Sequence, residues 1–398
     1  MVAVGYIDPG NWATDIAGGS RYAYALLSVV FGASLLAMLV QTMSARLGIA
    51  TGVDLAAASR AAYPRAAPLL WATAELAVIA TDLAEVLGSA IALELLFGVP
   101  LALGVVVTAL DVAVLLMLDR RGTRALERVV ASLVVVIAVG FAYELALTRP
   151  SLGPLLAGFV PSARIARDPR MLYMAIGIVG ATVMPHNLYL HSSLMPSRVV
   201  ARSARARRSL ARLATFDTVA CLACAMALNA ALVVLAAAVF HEAGHEDVAS
   251  IVDAHRLLAP LLGSTLAPIV FAVALLAAGQ SATITGTLAG QVIMSGFLRI
   301  AWPPWKRRLV TRACAIVPAA VTIALAGEES VGDLLVASQV VLSLQLPFAM
   351  APLVALTSDP GRMGGLRNAP WMRRIGWIGT AAVILANGAL VVGLLRGG

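Results

Sequence analysis

Apolar stretches of roughly 17–28 residues follow one another along the whole chain, separated by short polar connections, and each is long enough to cross about 30 Å of hydrocarbon as a helix. A segment that enters lipid must satisfy its own backbone hydrogen bonds, which leaves helices and closed barrels. No run of alternating ten-residue strands is present, so a barrel is excluded. Composition agrees. Of the 398 residues, 60% are hydrophobic and 13% charged, with a mean hydropathy of +0.90; soluble domains carry about 25% charged residues. The sequence predicts an all-α polytopic membrane protein.

Eleven spans are predicted: Met1–Gly19, Tyr24–Ala45, Trp71–Phe97, Leu101–Leu118, Leu126–Leu147, Met171–Leu194, Leu213–Phe240, Leu266–Leu298, Thr311–Ala326, Asp333–Ser358 and Ile375–Leu395. The first is interrupted by Asp8, Pro9 and Gly10, and the ninth is short. No soluble domain is expected. The longest connections are Arg149–Arg170 and His241–Thr265.

The net charge of +8 has a topological explanation. With the N-terminus cytoplasmic, 22 of the 29 Lys and Arg residues fall in cytoplasmic connections, among them Arg46, Arg120, Arg198, Arg307, Arg312 and Arg373. This is the positive-inside bias, and it places the C-terminus outside. Nucleic-acid binding is not expected, because no basic face is interleaved with aromatics. The three cysteines, Cys221, Cys224 and Cys314, are expected to be buried thiols without a disulfide. Rich use of alanine, and of arginine over lysine, suggests a GC-rich bacterial genome and an inner-membrane location. A monomer is expected.

Two spans are broken. Span one contains Asp8-Pro9-Gly10-Asn11, and span six contains Ala181-Thr182-Val183-Met184-Pro185-His186. Proline has no N–H for the carbonyl four residues back, so Pro9 frees the carbonyl of Gly5 and Pro185 that of Ala181. A bare carbonyl in hydrocarbon is costly unless something, such as a cation, satisfies it. The breaks lie five spans apart, the pattern of a substrate site between two inverted repeats. The repeats are expected at about 1–148 and 171–358, with an extra helix at about 371–396. Asp8 offers a carboxylate, Asn11 an amide oxygen, Ala181 a carbonyl and Met184 a thioether. Oxygen alone suits magnesium or calcium. A soft sulfur shifts preference toward manganese, iron and similar ions. Met184 could instead be packing, and Asp8 a helix cap, although a cap can also be a ligand.

Span three carries Glu75, Asp82 and Glu85, whose spacings of seven and three put all three on one helical face. Three acids facing lipid would be prohibitive, so they should face the interior, where such chains serve as proton relays. Glu75 could equally be an ion-pair partner. His186 lies two residues beyond Met184 and titrates near neutral pH when unperturbed, so it could couple the two regions. Asp111 and Glu144 are intramembrane acids read as structural.

These residues carry a family resemblance. Asp8-Pro9-Gly10-Asn11 and Met184-Pro185-His186 resemble the two signature motifs of the Nramp family of proton-coupled divalent-metal transporters. Gly279-Gln280-Ser281, Gly286-Thr287, Gly290-Gln291 and Gly296-Phe297 resemble its transport signature in span eight. The resemblance covers nearly the whole chain. It implies the LeuT-like fold of five plus five inverted-repeat helices with helices one and six discontinuous. It also implies metal coordination at Asp8, Asn11, Ala181 and Met184, with Gln339 as a further ligand position. Asp82 and Glu85 match family positions implicated in proton passage, and Arg198 and Arg312 match arginines on the inward route. Only seven residues precede Asp8, fewer than family members usually have, so either the start is misassigned, the chain is trimmed, or the inner half-helix is unusually short.

The expected function is symport of Mn²⁺ or Fe²⁺, with Co²⁺ or Cd²⁺ as further substrates, together with protons, by alternating access and without a prosthetic group. No nucleotide-binding loop is present, so a gradient rather than ATP drives transport. A magnesium transporter is the nearest alternative, and Met184 speaks against it. A sodium-coupled amino-acid symporter would hold a carboxylate at half-helix N-termini, where Asp8 would repel it. His241-Glu242-Ala243-Gly244-His245 fits a zinc-protease pattern, which requires a continuous helix that a loop with glycine does not supply. Cys221 and Cys224 mimic a redox pair inside an apolar span. The Gly286–Gly290 spacing is expected to allow close helix approach.

Overall fold

The computed structural model describes residues 6–108, 123–195, 203–248, 250–299 and 302–395. Among them there is no β-strand. The main helices are α1 (Pro9–Tyr22), α2 (Leu27–Thr51), α3 (Leu55–Ala62), α4 (Ala67–Phe97), α5 (Leu101–Val107), α6 (Thr123–Leu147), α7 (Pro169–Val183), α8 (Pro185–Leu194), α9 (Ala204–Ala236), α10 (Ile251–Leu262), α11 (Ala267–Leu298), α12 (Pro304–Ala326), α13 (Val331–Ser358) and α14 (Pro370–Leu395).

Eight helical stretches among the described residues are long and apolar enough to cross a membrane, and Leu309–Ile323 is a shorter apolar helix. Eleven spans are therefore not resolved one by one. Pro9–Thr51 joins the first two predicted spans into one stretch, and much of the fourth, with Asp111, lies outside the described residues. The connections read as long loops contain helices: α10 lies within His241–Thr265, and short helices occupy Leu152–Ala157 and Arg164–Arg167.

The helices differ in depth within the bundle. In α4 83% of the most apolar window is buried, against 22% in α14. Helix α4 packs on α11, α13 and α12, and α1 is enclosed by α4, α7, α9 and α13. Every residue of α1 except Arg21 is buried, including Asn11, Thr14 and Asp15. Trp12 anchors it, with its ring 4.8 Å from Phe141 and 5.0 Å from Phe271. By contrast α14 rests mainly on α13 and turns most of its surface outward.

Proline does not always break a span. Pro347 and Pro352 lie inside α13, which runs unbroken from Val331 to Ser358. Neighbouring helices can re-satisfy the freed groups of a membrane helix. The cysteines correct the sequence expectation: Cys224 and Cys314 are exposed and Cys221 is half-exposed. Thiols are apolar enough to face lipid, so membership of an apolar span does not fix which side they occupy.

Candidate functional site

The break in span six is present, and a helix begins at the expected break of span one, whose residues 1–5 lie outside the described residues. Residues 6 and 7 are not α-helical, and α1 starts at Pro9 with Asp8 as its N-cap. Asp8 Oδ1 accepts the backbone N–H of Asn11 at 2.8 Å. Proline at the first helical position fits, since its missing N–H would be unpaired there anyway. Helix α7 stops at Val183, Met184 adopts φ 46° and ψ 87°, and Pro185 opens α8. A left-handed conformation at a residue with a side chain costs about 1–3 kcal/mol and persists only where the surroundings enforce it. Here the Met184 N–H bonds the Gly180 carbonyl at 3.1 Å, and the Asn187 N–H bonds the Met184 carbonyl at 3.1 Å. Pro185 has no N–H to offer the Ala181 carbonyl.

Packing joins the two breaks. Tyr6 donates its hydroxyl to the carbonyl of Val183 at 3.4 Å, linking the residues before each break. Gln339 of α13 lies against both sides. Its side chain fills the space beside Gly10, and its carbonyl touches the position of a Cβ on Gly180. Gly180 must therefore be glycine for α7 and α13 to meet, and a side chain at Gly10 would displace the Gln339 amide.

The first turn of α1 presents oxygen atoms that nothing in the described residues satisfies. Asp8 uses Oδ1 in its cap and leaves Oδ2 without a partner. Asn11 donates Nδ2 to the Tyr6 carbonyl at 2.6 Å, which leaves its Oδ1 bare. Gln339 donates Nε2 to Ser338 Oγ at 2.8 Å, and its Oε1 is bare as well. All three side chains are buried, as are Ala181 and Met184. A buried polar atom without a protein partner calls for a water, an ion or another ligand. Asn187 donates to the Met184 sulfur at 3.3 Å, which orients the thioether. The two breaks thus carry bare oxygens and a thioether, hard and soft donors alike, and Asp8 is the acid at the break itself. No cluster of three or more His, Cys, Asp and Glu occurs among the described residues.

The acids of α4 face inward as expected. Arg307 Nη2 donates to both oxygens of Glu75, at 3.0 and 3.3 Å, with both side chains largely buried. Glu85 faces Arg312 at 3.8 Å, both fully buried. Asp82 is buried and lines a small cleft with Arg307, Thr311, Gly286 and Gln291. Arg198 lies outside the described residues. Arg307 and Arg312 correct the charge count: as buried side chains of α12 they are not loop charges.

The glycines of α11 have a different use from the one expected. A Cβ on Gly286 would sit 2.7 Å from Glu85 Oε1, and one on Gly290 would overlap the Arg307 guanidinium. The small residues thus make room for charged side chains. Gly279 is closer to the expected role, since Ser89 of α4 fills the space beside it.

His186, two residues past Met184, reaches α4. Its Nδ1 lies 3.2 Å from Thr81 Oγ1, one residue before Asp82. Thr81 donates its only hydroxyl proton to the Ala77 carbonyl at 3.0 Å. With the hydroxyl proton on the Ala77 carbonyl, Thr81 Oγ1 is an acceptor for the Nδ1–H tautomer of His186. Sequence reasoning missed a second chain. His191 Nδ1 lies 2.7 Å from Gln41 Oε1, Gln41 Nε2 donates to the Tyr6 hydroxyl, and Asn229 Nδ2 reaches the Tyr6 carbonyl at 3.3 Å. Tyr6, Gln41, His191 and Asn229 are single polar residues in apolar runs, a weak signal in isolation. Asp15 and Glu144 are further buried acids with bare oxygens.

The zinc-protease pattern is not on one helix. His241 ends a π-turn with its Nδ1 2.7 Å from the Ser20 carbonyl, and Gly244 has φ 83° before His245.

The chain matches the family described as "Natural resistance-associated macrophage protein-like", Nramp, over residues 1–393. It is 55% identical over 388 residues to the "Divalent metal cation transporter MntH" of Xanthomonas campestris pv. campestris, covering 97% of this chain and 87% of that one. The manganese transporter of Eremococcus coleocola superposes with a TM-score of 0.88 at 41% identity, over 98% of this chain and 84% of that one. A nucleobase-cation-symport-1 family transporter shares the fold at 15% identity and a TM-score of 0.64, over 99% of this chain and 90% of that one. The chain belongs to the Nramp family and has its LeuT-like fold of membrane-spanning helices.

Proposed function

We propose that the protein is a symporter, not an enzyme, that carries divalent transition-metal ions, with Mn²⁺ and Fe²⁺ as main substrates, together with protons. The observation that carries this reading is the donor set at the paired breaks: the bare oxygens of Asp8, Asn11 and Gln339, the freed carbonyl of Ala181 and the thioether of Met184. One carboxylate stabilises a dication without holding it too strongly to release. The thioether favours transition metals over magnesium and calcium. Relatives named as divalent metal cation transporters support the substrate class.

Protons are proposed to pass along Asp82 and Glu85, with His186 linking this path to the metal through Thr81. Glu75 and Arg312 set the charge of that path through their ion pairs, and Arg198 extends it inward. Alternating access moves α1, α7 and α8 against the remaining helices, within repeats of about 1–148 and 171–358, with α14 outside both. The protein works as a monomer in a bacterial inner membrane, N-terminus cytoplasmic and C-terminus external.

Mn²⁺ uptake into proteoliposomes, with internal pH followed, tests the proposal on wild type, Asp8→Ala and Met184→Ala. Expected are joint uptake of metal and protons, loss of uptake in Asp8→Ala, and stronger Ca²⁺ and Mg²⁺ competition in Met184→Ala. Robust Mg²⁺ uptake indifferent to Met184, with no Mn²⁺ uptake, would overturn it in favour of a magnesium transporter.

A further inference from the structure

A cleft of about 930 Å³ runs between α2, α7 and α14, where α14 turns most of its surface outward. Its walls are apolar, with Leu36 and Leu39 on α2 facing Ile375 and Gly379 on α14. It follows the seam of α2 and α14. The two come close where Gly379 meets Leu36 and where Gly376 meets Met43.

One end of this cleft is charged. Arg46 lines it together with Trp371 and Met372. The half-buried Arg46 donates Nη1 to the Met372 sulfur at 3.1 Å, and no carboxylate among the described residues pairs with it. A thioether is a weak acceptor and carries no charge, so the guanidinium keeps its charge and its remaining donors. One turn further, Ala50 borders a second cleft lined by Arg207 and Arg208, which also lack an acidic partner among the described residues. The rim is therefore cationic, whereas the walls above it are oily.

The dimensions fit one leaflet. Ten residues of helix separate Arg46 from Leu36, a rise of about 15 Å. That is half of the roughly 30 Å hydrocarbon core. A guanidinium binds a phosphate through paired N–H donors, and basic clusters at the membrane surface favour anionic lipid.

We propose that the Arg46 half of this cleft binds an anionic phospholipid, with its phosphate on Arg46 and an acyl chain lying over Leu39, Leu36, Ile375 and Gly379. Arg207 and Arg208 favour an anionic headgroup over a zwitterionic one. The site is separate from the metal site and does not depend on the transport reading.

The test is native mass spectrometry of the full chain released from nanodiscs of equal phosphatidylglycerol and phosphatidylethanolamine. Wild type should retain one phosphatidylglycerol in preference to phosphatidylethanolamine. Arg46→Gln should lower that retention about tenfold, the scale of one charge-assisted contact. Arg374→Gln, on an exposed arginine of α14, should not change it. Soluble glycerophosphoglycerol should not displace the lipid. Equal retention of the two lipids by wild type overturns the proposal without reference to any variant. So does unchanged retention in Arg46→Gln of unaltered thermal stability. Displacement by the soluble headgroup would mean a simple anion site, and a lipid-free dimer would mean that a second copy covers the cleft; either outcome also overturns it.

Discussion

The backbone N–H of Asn11 donates to Asp8 Oδ1 at 2.8 Å, so one carboxylate oxygen starts a helix while the other is left bare. One side chain thus has a structural and a chemical task, carried by different atoms. Asn11 repeats the division, holding the Tyr6 carbonyl with its nitrogen and leaving its oxygen free.

That division can be separated by substitution. Asparagine is as good an N-cap as aspartate, whereas alanine costs about 1 kcal/mol. Asp8→Asn and Asp8→Ala should both lose Mn²⁺ uptake to background. Thermal unfolding should show destabilisation in Asp8→Ala alone. Retained uptake in Asp8→Asn would mean that the carboxylate charge is not needed.

Glu75 and Arg307 form a buried pair with two contacts. Removing one partner leaves a buried charge, at a cost of about 3–5 kcal/mol. Glu75→Leu and Arg307→Met should each destabilise the fold strongly. The double variant should cost clearly less than the sum of the two. Additive losses in thermal melts would show that the two side chains are not coupled.

Gly286 and Gly388 predict opposite results for one change. A Cβ at Gly286 meets Glu85, which is held between α4 and Arg312, whereas nothing lies within 4 Å of a Cβ at Gly388. Gly286→Ala should destabilise by about 1–3 kcal/mol through overpacking. Gly388→Ala should be neutral or gain up to about 1 kcal/mol of helix propensity. Equal melting temperatures for the two variants would contradict the close fit at Gly286.

Asp54, in the connection between α2 and α4, supplies a pH dependence. It caps α3 through Ala57 N at 2.8 Å, and burial raises its carboxyl above the ordinary value despite that bond. A raised folded value means that the native state binds the proton more tightly. Wild type therefore loses stability as pH rises from the ordinary aspartate value through the raised one. Asp54→Asn keeps a capping oxygen without the charge. It should be more stable than wild type at neutral pH, and this advantage should disappear in acid. An advantage that instead grows in acid would reverse the sign of the shift.

The sequence alone determined the features that depend on local chemistry. The length and hydropathy of the runs require membrane helices. Pro9 and Pro185 each remove one backbone hydrogen bond at a known place, because a missing N–H acts within four residues. The spacing of Glu75, Asp82 and Glu85 fixes their common face, because helical periodicity is local. Tertiary structure decided the rest, since each feature joins residues far apart in the chain. His186 reaches Thr81 across 105 positions, and Arg307, counted in sequence as a loop charge, meets Glu75 across 232. The α11 glycines make room for Glu85 and Arg307, which a motif read as close helix approach does not disclose. Pro347 and Pro352 leave α13 unbroken, whereas Pro185 marks a break. A proline fixes only which bond is missing; the neighbouring helices decide whether the freed group is satisfied in place or left for a ligand.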